Sequence, residues 1–129
     1  MSEPVATGPA MPFFIVTDIA ASLRHYCDGL GFECRFASPD EEPFFALVGR
    51  GQAQIMLKDV GVAPMSNPKR HKDAPWDTFI YCVDPEALAA EIIGRGAKLH
   101  TTITTRDDGL HGFEVADPDG YVCFFGRPI

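Results

Sequence analysis

The chain has 129 residues, 46% of them hydrophobic, and a formal net charge of −7. That size suits one compact domain or two small fused modules with a proper core. The acidic balance argues against nucleic-acid binding, which needs a basic footprint, and no apolar run is long enough to span a membrane.

The opening residues, MSEPVATGPA, lack the basic start and apolar middle of a secretory signal, so a cytoplasmic protein is expected. Cys27, Cys34, Cys82 and Cys123 are scattered, with no CxxC pair. They read as free thiols and small core residues rather than a disulfide frame or a zinc site. The negative charge suits either simple solubility or a cationic partner.

The first element in chain order is a strand, MPFFIVTD (Met11–Asp18). A helix follows, with Ile19, Leu23, Tyr26, Cys27 and Leu30 as its apolar stripe. Asp18 is placed to cap its start, and Gly31 to end it in a left-handed turn. Three short strands come next: Glu33–Ala37, Phe44–Gly49 and Ala53–Lys58. The turn residues SPDEEP and RGQ separate them.

The same order then returns. TFIYCVD (Thr78–Asp84) reads as a strand. PEALAAEIIGRG reads as a helix, with Asp84 as cap and Pro85 in its first position. Leu88, Ala89, Ile92 and Ile93 form its stripe, and Gly96 ends it. Strands are expected near Lys98–Thr102, Gly112–Ala116 and Tyr121–Gly126. Between the last two, Asp117-Pro118-Asp119-Gly120 reads as a hairpin turn whose aspartates serve geometry.

Asp84 follows Asp18 by 66 residues, and Gly96 follows Gly31 by 65. A period of half the chain indicates a duplicated β-α-β-β-β unit. The expected organisation is a single domain, residues 1–129, built from one module at 11–58, a polar linker at 59–77 and a second module at 78–129. Neither unit has enough core to stand alone, so the two should pair.

The strand ending VTD, the helix SLRHYCDGLGF, the second CVDPEALAAEIIGRGA and the terminal DPDGYVCFFG together resemble the vicinal oxygen chelate superfamily. Its members include glyoxalase I, extradiol dioxygenases, fosfomycin-resistance enzymes and bleomycin-resistance proteins. The resemblance covers nearly the whole chain. It implies an α+β fold in which two βαβββ modules curl a mixed sheet around a cavity, often completed by a homodimer partner.

The resemblance also implies where a metal would be held in the enzymes of the family: on four strands, by His, Gln or Glu, because a divalent ion needs N or O donors. Counting from Asp18, from the IML stretch, from Asp84 and from Gly120 puts those positions at Met11, Met56, Thr78 and Phe124. A thioether is too soft for the ions this family uses, and Phe offers no donor. A slip of one residue recovers only Asp77 and Cys123. No metal, no cofactor and no catalytic residue is therefore expected.

Other candidates are weaker. His25 sits mid-helix and reads as structural. His71 lies in the basic loop PKRHKD, read as a solvated linker. His100 and His111 border the sixth and seventh strands and could face the cavity mouth. Glu114 lies between Phe113 and Val115, with its face left open by the nearby turn.

With the parity of these counts, Met11, Phe13, Ile15, Gln54, Met56, Thr78, Ile80, Val122 and Phe124 share the concave face. Trp76, the single tryptophan, sits at the expected mouth. His111 joins the expected ligand-binding set. Such an apolar, aromatic lining suits a small-molecule pocket, although the same residues could simply fill a core. The leading reading is a metal-free protein that sequesters a drug or metabolite, with a cationic ligand as one option. Asp40, Glu41 and Glu42 are the acidic residues nearest an expected pocket mouth. The alternatives are a glyoxalase-type lyase, isomerase or dioxygenase with atypical ligands, and a non-catalytic interaction module.

Overall fold

A computed structural model describes residues 3–129. Eight strands form two four-stranded sheets. The first sheet uses β1 (Phe13–Ile15), β2 (Glu33–Ser38), β3 (Phe45–Arg50) and β4 (Ala53–Lys58), in the order β1-β4-β3-β2. The second uses β5 (Thr78–Tyr81), β6 (Thr101–Thr105), β7 (Leu110–Ala116) and β8 (Val122–Pro128), in the order β5-β8-β7-β6. The second order is the first with each strand advanced by one repeat. In each sheet the first strand pairs parallel to the last, and the other pairs are antiparallel. This is the α+β fold of two βαβββ units that the sequence implies, and the sheets do not close into a barrel.

The helices start where the caps predict. Asp18 accepts a hydrogen bond from the Ala21 N–H at 3.1 Å, opening α1 (Ile19–Leu23). From there a wider, π-helical stretch runs over Arg24–Gly29. Asp84 accepts from the Ala87 N–H at 3.0 Å and opens the later long helix, Pro85–Gly94. A short helix, α2 (Asn67–Arg70), lies in the connection between the sheets, so the long one is α3. Gly31 has φ of +73°, and a Cβ there would lie 2.5 Å from an Arg50 guanidinium nitrogen. Both the backbone conformation and the close approach call for glycine.

Strand alternation decides which side chains meet the helices. Phe14 and Val16 of the first segment, Ile55 and Leu57 of β4, Phe113 and Val115 of β7, and Cys123 and Phe125 of β8 are all buried in one cluster. Tyr26 and Leu30 enter it from the first helical segment, and Ala89 and Ile92 from α3. Ile93 of the expected stripe is 57% exposed instead, because the buried arc of α3 is narrow. Cys34 is exposed on β2, so it is not one of the core thiols; Cys123 is buried, and Cys27 and Cys82 are half-buried.

The first helix is tied to the end of the chain. The Tyr26 hydroxyl donates to Asp117 at 2.8 Å, and the Tyr121 hydroxyl donates to the Ile15 carbonyl at 2.7 Å. The Phe14 and Tyr121 rings stack at 4.3 Å. Asp117 also accepts from the Asp119 and Tyr121 N–H groups at 2.9 Å, which holds the DPDG turn in shape. The aspartates of that turn are therefore structural. A second tie runs through Arg50, which pairs with Glu91 of α3 through both nitrogens at 2.6 and 2.9 Å.

Candidate functional site

Each sheet has one face in the core and one face turned away from it. On the first sheet, Phe13 lies opposite Met56 in the parallel β1–β4 ladder, and Met56 lies opposite Leu47. Their face is the open one, because Phe14 and Leu57 take the core side. Met11 is 38% exposed, Phe13 51% and Phe36 55%. This is a run of large apolar groups in contact with water and outside the core.

On the second sheet, the parallel register pairs Thr78 with Cys123, Phe79 with Phe124 and Ile80 with Phe125. Cys123 and Phe125 are core residues, so Thr78 and Ile80 share the core side. Phe79 and Tyr81 share the open face with Phe124. The expectation that Thr78 and Ile80 lie on one face with Val122 and Phe124 is thus corrected by one residue. The cause is local: β5 stops at Tyr81, and a two-residue period counted back from Asp84 does not hold across the non-strand residues between.

An aromatic cluster results. The Phe79 and Phe124 rings stack at 5.4 Å, with planes 15° apart. Trp76 packs on Phe124 at 4.8 Å and near Phe79 at 6.4 Å. The Arg106 guanidinium lies over Trp76, 4.9 Å from the ring centre. Phe124 is buried, while Phe79 is 38% exposed and Tyr81 64%. Beyond Phe124, Gly112 and Gly126 are paired, and the Phe124 ring lies over Gly126, where an added Cβ would come within 2.6 Å of it.

The remaining expected residues are spread over other places. Gln54, Thr78 and Ile80 line a groove of about 740 Å³ between the edge of the first sheet, β5 and α3. Its other walls include Ile55, Tyr81, Leu88 and the Arg50–Glu91 pair. The size falls within the range of small-molecule pockets. Val122 is buried on the Phe124 side of the sheet. His111 does not approach the open face. It is on the helix side, hydrogen-bonded to Thr105 at 2.9 Å and to Glu86 of α3. His100 is exposed; His25 packs edge-on against Tyr26, and burial lowers its pKa to about 4.

The donor chemistry does not suit the metal centre that the resemblance implies. Met11, Met56 and Phe124 supply two thioethers and a phenyl ring, and Thr78 faces the other way. Asp77, the near alternative, is engaged by the N–H groups of Asn67 at 2.7 Å and Val122 at 2.8 Å. Among the described residues, no three His, Cys, Asp or Glu side chains are grouped to hold an ion.

One polar residue on the aromatic face was not assigned by sequence reasoning. Glu114 of β7 lies opposite Phe124 of β8, on the open side, and is 6% exposed. The alternation Phe113-Glu114-Val115 carries the signal, since both neighbours are in the core. The β7–β8 register fixes its face, opposite Phe124.

Residues 8–124 match the sequence profile of the Glyoxalase/Bleomycin resistance protein/Dioxygenase superfamily. No curated protein matches the chain. Among solved structures, the bleomycin-binding protein from bleomycin-producing Streptomyces verticillus, complexed with copper(II)-bleomycin, is similar at 23% identity and TM-score 0.70, over 98% of this chain and 100% of that one. TnmS3, an antibiotic binding protein from Streptomyces sp. CB03234, is similar at 16% identity and TM-score 0.69, over 98% and 100%. A glyoxalase-related enzyme from Clostridium phytofermentans is similar at 14% identity and TM-score 0.74, over 99% and 100%. Binder and enzyme thus share this fold, and the fold alone does not separate them. With nearly its whole length matched and both sheets in the family's order, the chain belongs to the glyoxalase/bleomycin resistance protein/dioxygenase superfamily.

Proposed function

We infer that this chain is a small-molecule binding protein that sequesters a drug or metabolite without a metal and without chemistry. One observation carries the reading. Phe124, at the position where the family resemblance implies a metal-binding carboxylate, stacks with Phe79 and Trp76 into an aromatic cluster whose outer side is Phe79 and Trp76. That surface suits a planar or amphiphilic ligand better than a hydrated ion. The likeness to a bleomycin-binding protein and to an antibiotic-binding protein supports the same reading.

The working ligand set is Met11, Phe13 and Met56 on the first open face, with Trp76, Phe79, Val122 and Phe124 on the second. Gln54, Thr78 and Ile80 belong to the adjoining groove. The two βαβββ modules act as one domain, and a homodimer completes the site. In that dimer the first sheet of one copy faces the second sheet of the other, covering the apolar groups that a lone chain leaves exposed. A cytoplasmic location fits a sequestering role; no helix among the described residues is long and apolar enough to cross a membrane.

A thermal-shift screen tests this. Untagged protein, first dialysed against a chelator, is screened with planar, amphiphilic and cationic antibiotics. The reading expects a saturable rise in Tm with at least one planar class and no stoichiometric metal by elemental analysis. One equivalent of nickel, zinc, iron or manganese retained through dialysis would overturn it in favour of a metal-dependent enzyme.

A further inference from the structure

Glu114 stands directly opposite Phe124 in the antiparallel β7–β8 ladder. Directly opposed residues have Cβ atoms about 4.5–5.5 Å apart, so carboxylate and ring are neighbours on one face. The residue is 94% buried, being 6% exposed. Among the described residues its carboxylate takes part in none of the ion pairs. Among the described residues its carboxylate accepts no hydrogen bond either, and Ser22 Oγ is the only fully sealed side-chain polar atom without a partner, so the Glu114 oxygens keep a window to the outside.

A carboxylate in this position is costly unless a donor or a cation answers it. Its neighbours on the open face supply no cation: Phe124 lies opposite in β8, the exposed Thr101 opposite in β6 and Gly112 two residues back in β7, and among the described residues the Thr101 hydroxyl makes no hydrogen bond to the carboxylate. Arg106, which lies over Trp76, is committed to Asp108 at 3.2 Å. That contact does show that the Trp76 ring accepts a cation. A charge brought in from outside is what the site lacks.

The geometry points to Glu114 as the anionic anchor of the ligand site, pairing with a protonated amine or amidinium whose attached planar group packs on Phe79 and Trp76, the rings that cover buried Phe124. This rests on the reading of the second sheet's open face as the binding surface. It also names the ligand class: an aromatic cation, with charge and ring close together. The acidic turn residues Asp40, Glu41 and Glu42 are not needed for it.

The test uses the full chain at neutral pH and two isosteric probes. One is 2-(aminomethyl)naphthalene, which is protonated; the other is 2-(hydroxymethyl)naphthalene, which is neutral. Binding is followed by the NMR resonance of the indole N–H of Trp76, the only tryptophan. Wild type is expected to bind the amine about tenfold or more tightly than the alcohol, in line with a charge-assisted hydrogen bond. Glu114→Gln is expected to bring the amine down to the alcohol's affinity and leave the alcohol unchanged, with a Tm at or above wild type. If E114Q keeps the amine preference, or if wild type binds both probes equally, the anchor is refuted while the binding surface stands. If neither probe moves the Trp76 resonance, the surface itself is refuted, and the anchor with it. A Tm loss beyond 10 °C in E114Q would make Glu114 a support of the fold and overturn its assignment as anchor.

Discussion

Replacing Phe124 with alanine tests the aromatic surface where it is most heavily packed. The side chain is 1% exposed and lies between Trp76 at 4.8 Å and Phe79 at 5.4 Å. Truncating a buried Phe costs about 3–5 kcal/mol, from lost transfer energy plus the cavity left behind. Here the lower end applies, because Phe79 is 38% exposed and can swing into the space. A loss of about 3 kcal/mol corresponds to a Tm drop of roughly 10 °C for a chain of this length. The assay has a second, local readout. Trp76 is the only tryptophan, so its emission reports on this cluster alone. Phe124→Ala should shift the emission to the red as water reaches the indole, and should weaken aromatic ligands by about tenfold or more. Phe124→Leu should recover most of the stability but not the ligand affinity, since it restores volume without the stack. A Phe124→Ala protein that melts within about 2 °C of wild type, with unchanged Trp76 emission, would refute this packing.

The half-buried His25 and the buried Asp117 give stability terms of opposite sign in mild acid. Burial lowers the His25 pKa from 6.5 to about 4, so its contribution is present above pH 6.5 and is lost as the pH falls below it. Burial raises the Asp117 pKa from 3.8 to about 6, against the pull of the Tyr26 hydrogen bond. Its contribution is full below pH 3.8 and is lost as the pH rises through 6. Denaturant titrations at pH 6.5 and 4.5 should therefore show His25→Gln gaining, and Asp117→Asn losing, on the order of 2 kcal/mol on acidification, with wild type between them. Equal slopes in all three would contradict the assignment. Asp84→Ala removes the cap hydrogen bond to Ala87 and should lower stability by about 1 kcal/mol in a urea melt, through α3 alone. Arg50→Ala should cost no more than about 1 kcal/mol, because the Glu91 pair is half-exposed and screened, and the loss should shrink further at high salt.

Much of the fold was legible because it rests on local chemistry. Asp18 and Asp84 announced the two helices, Gly31 and Gly96 their ends, and the even spacing between them announced the duplication. The identical strand order of the two sheets agrees with that duplication. What failed was parity at β5 and the place of β6, which spans Thr101–Thr105 rather than Lys98–Thr102. The step from Asp84 back to Thr78 crosses residues outside β5, and only the parallel pairing with β8 reveals that Phe79, not Thr78, lies beside Phe124. His111 misled for a related reason. A histidine near a strand end has two faces open to it, and its partner, Glu86, is 25 residues away in the chain. Glu114 shows the opposite case. Its alternation with Phe113 and Val115 sets it opposite those two, but which face that is and how deeply it is buried depend on strand pairing and tertiary neighbours that no local pattern encodes.

The account turns on ligand binding that needs no metal, and a titration of Trp76 fluorescence measures that directly. Protein stripped with a chelator is titrated with an aromatic cationic antibiotic that raises its Tm, and the titration is repeated in the presence of nickel, zinc, iron and manganese. The account predicts saturable quenching of Trp76 with the same affinity in every condition. Quenching that disappears on chelation and returns with one of the metals would contradict it.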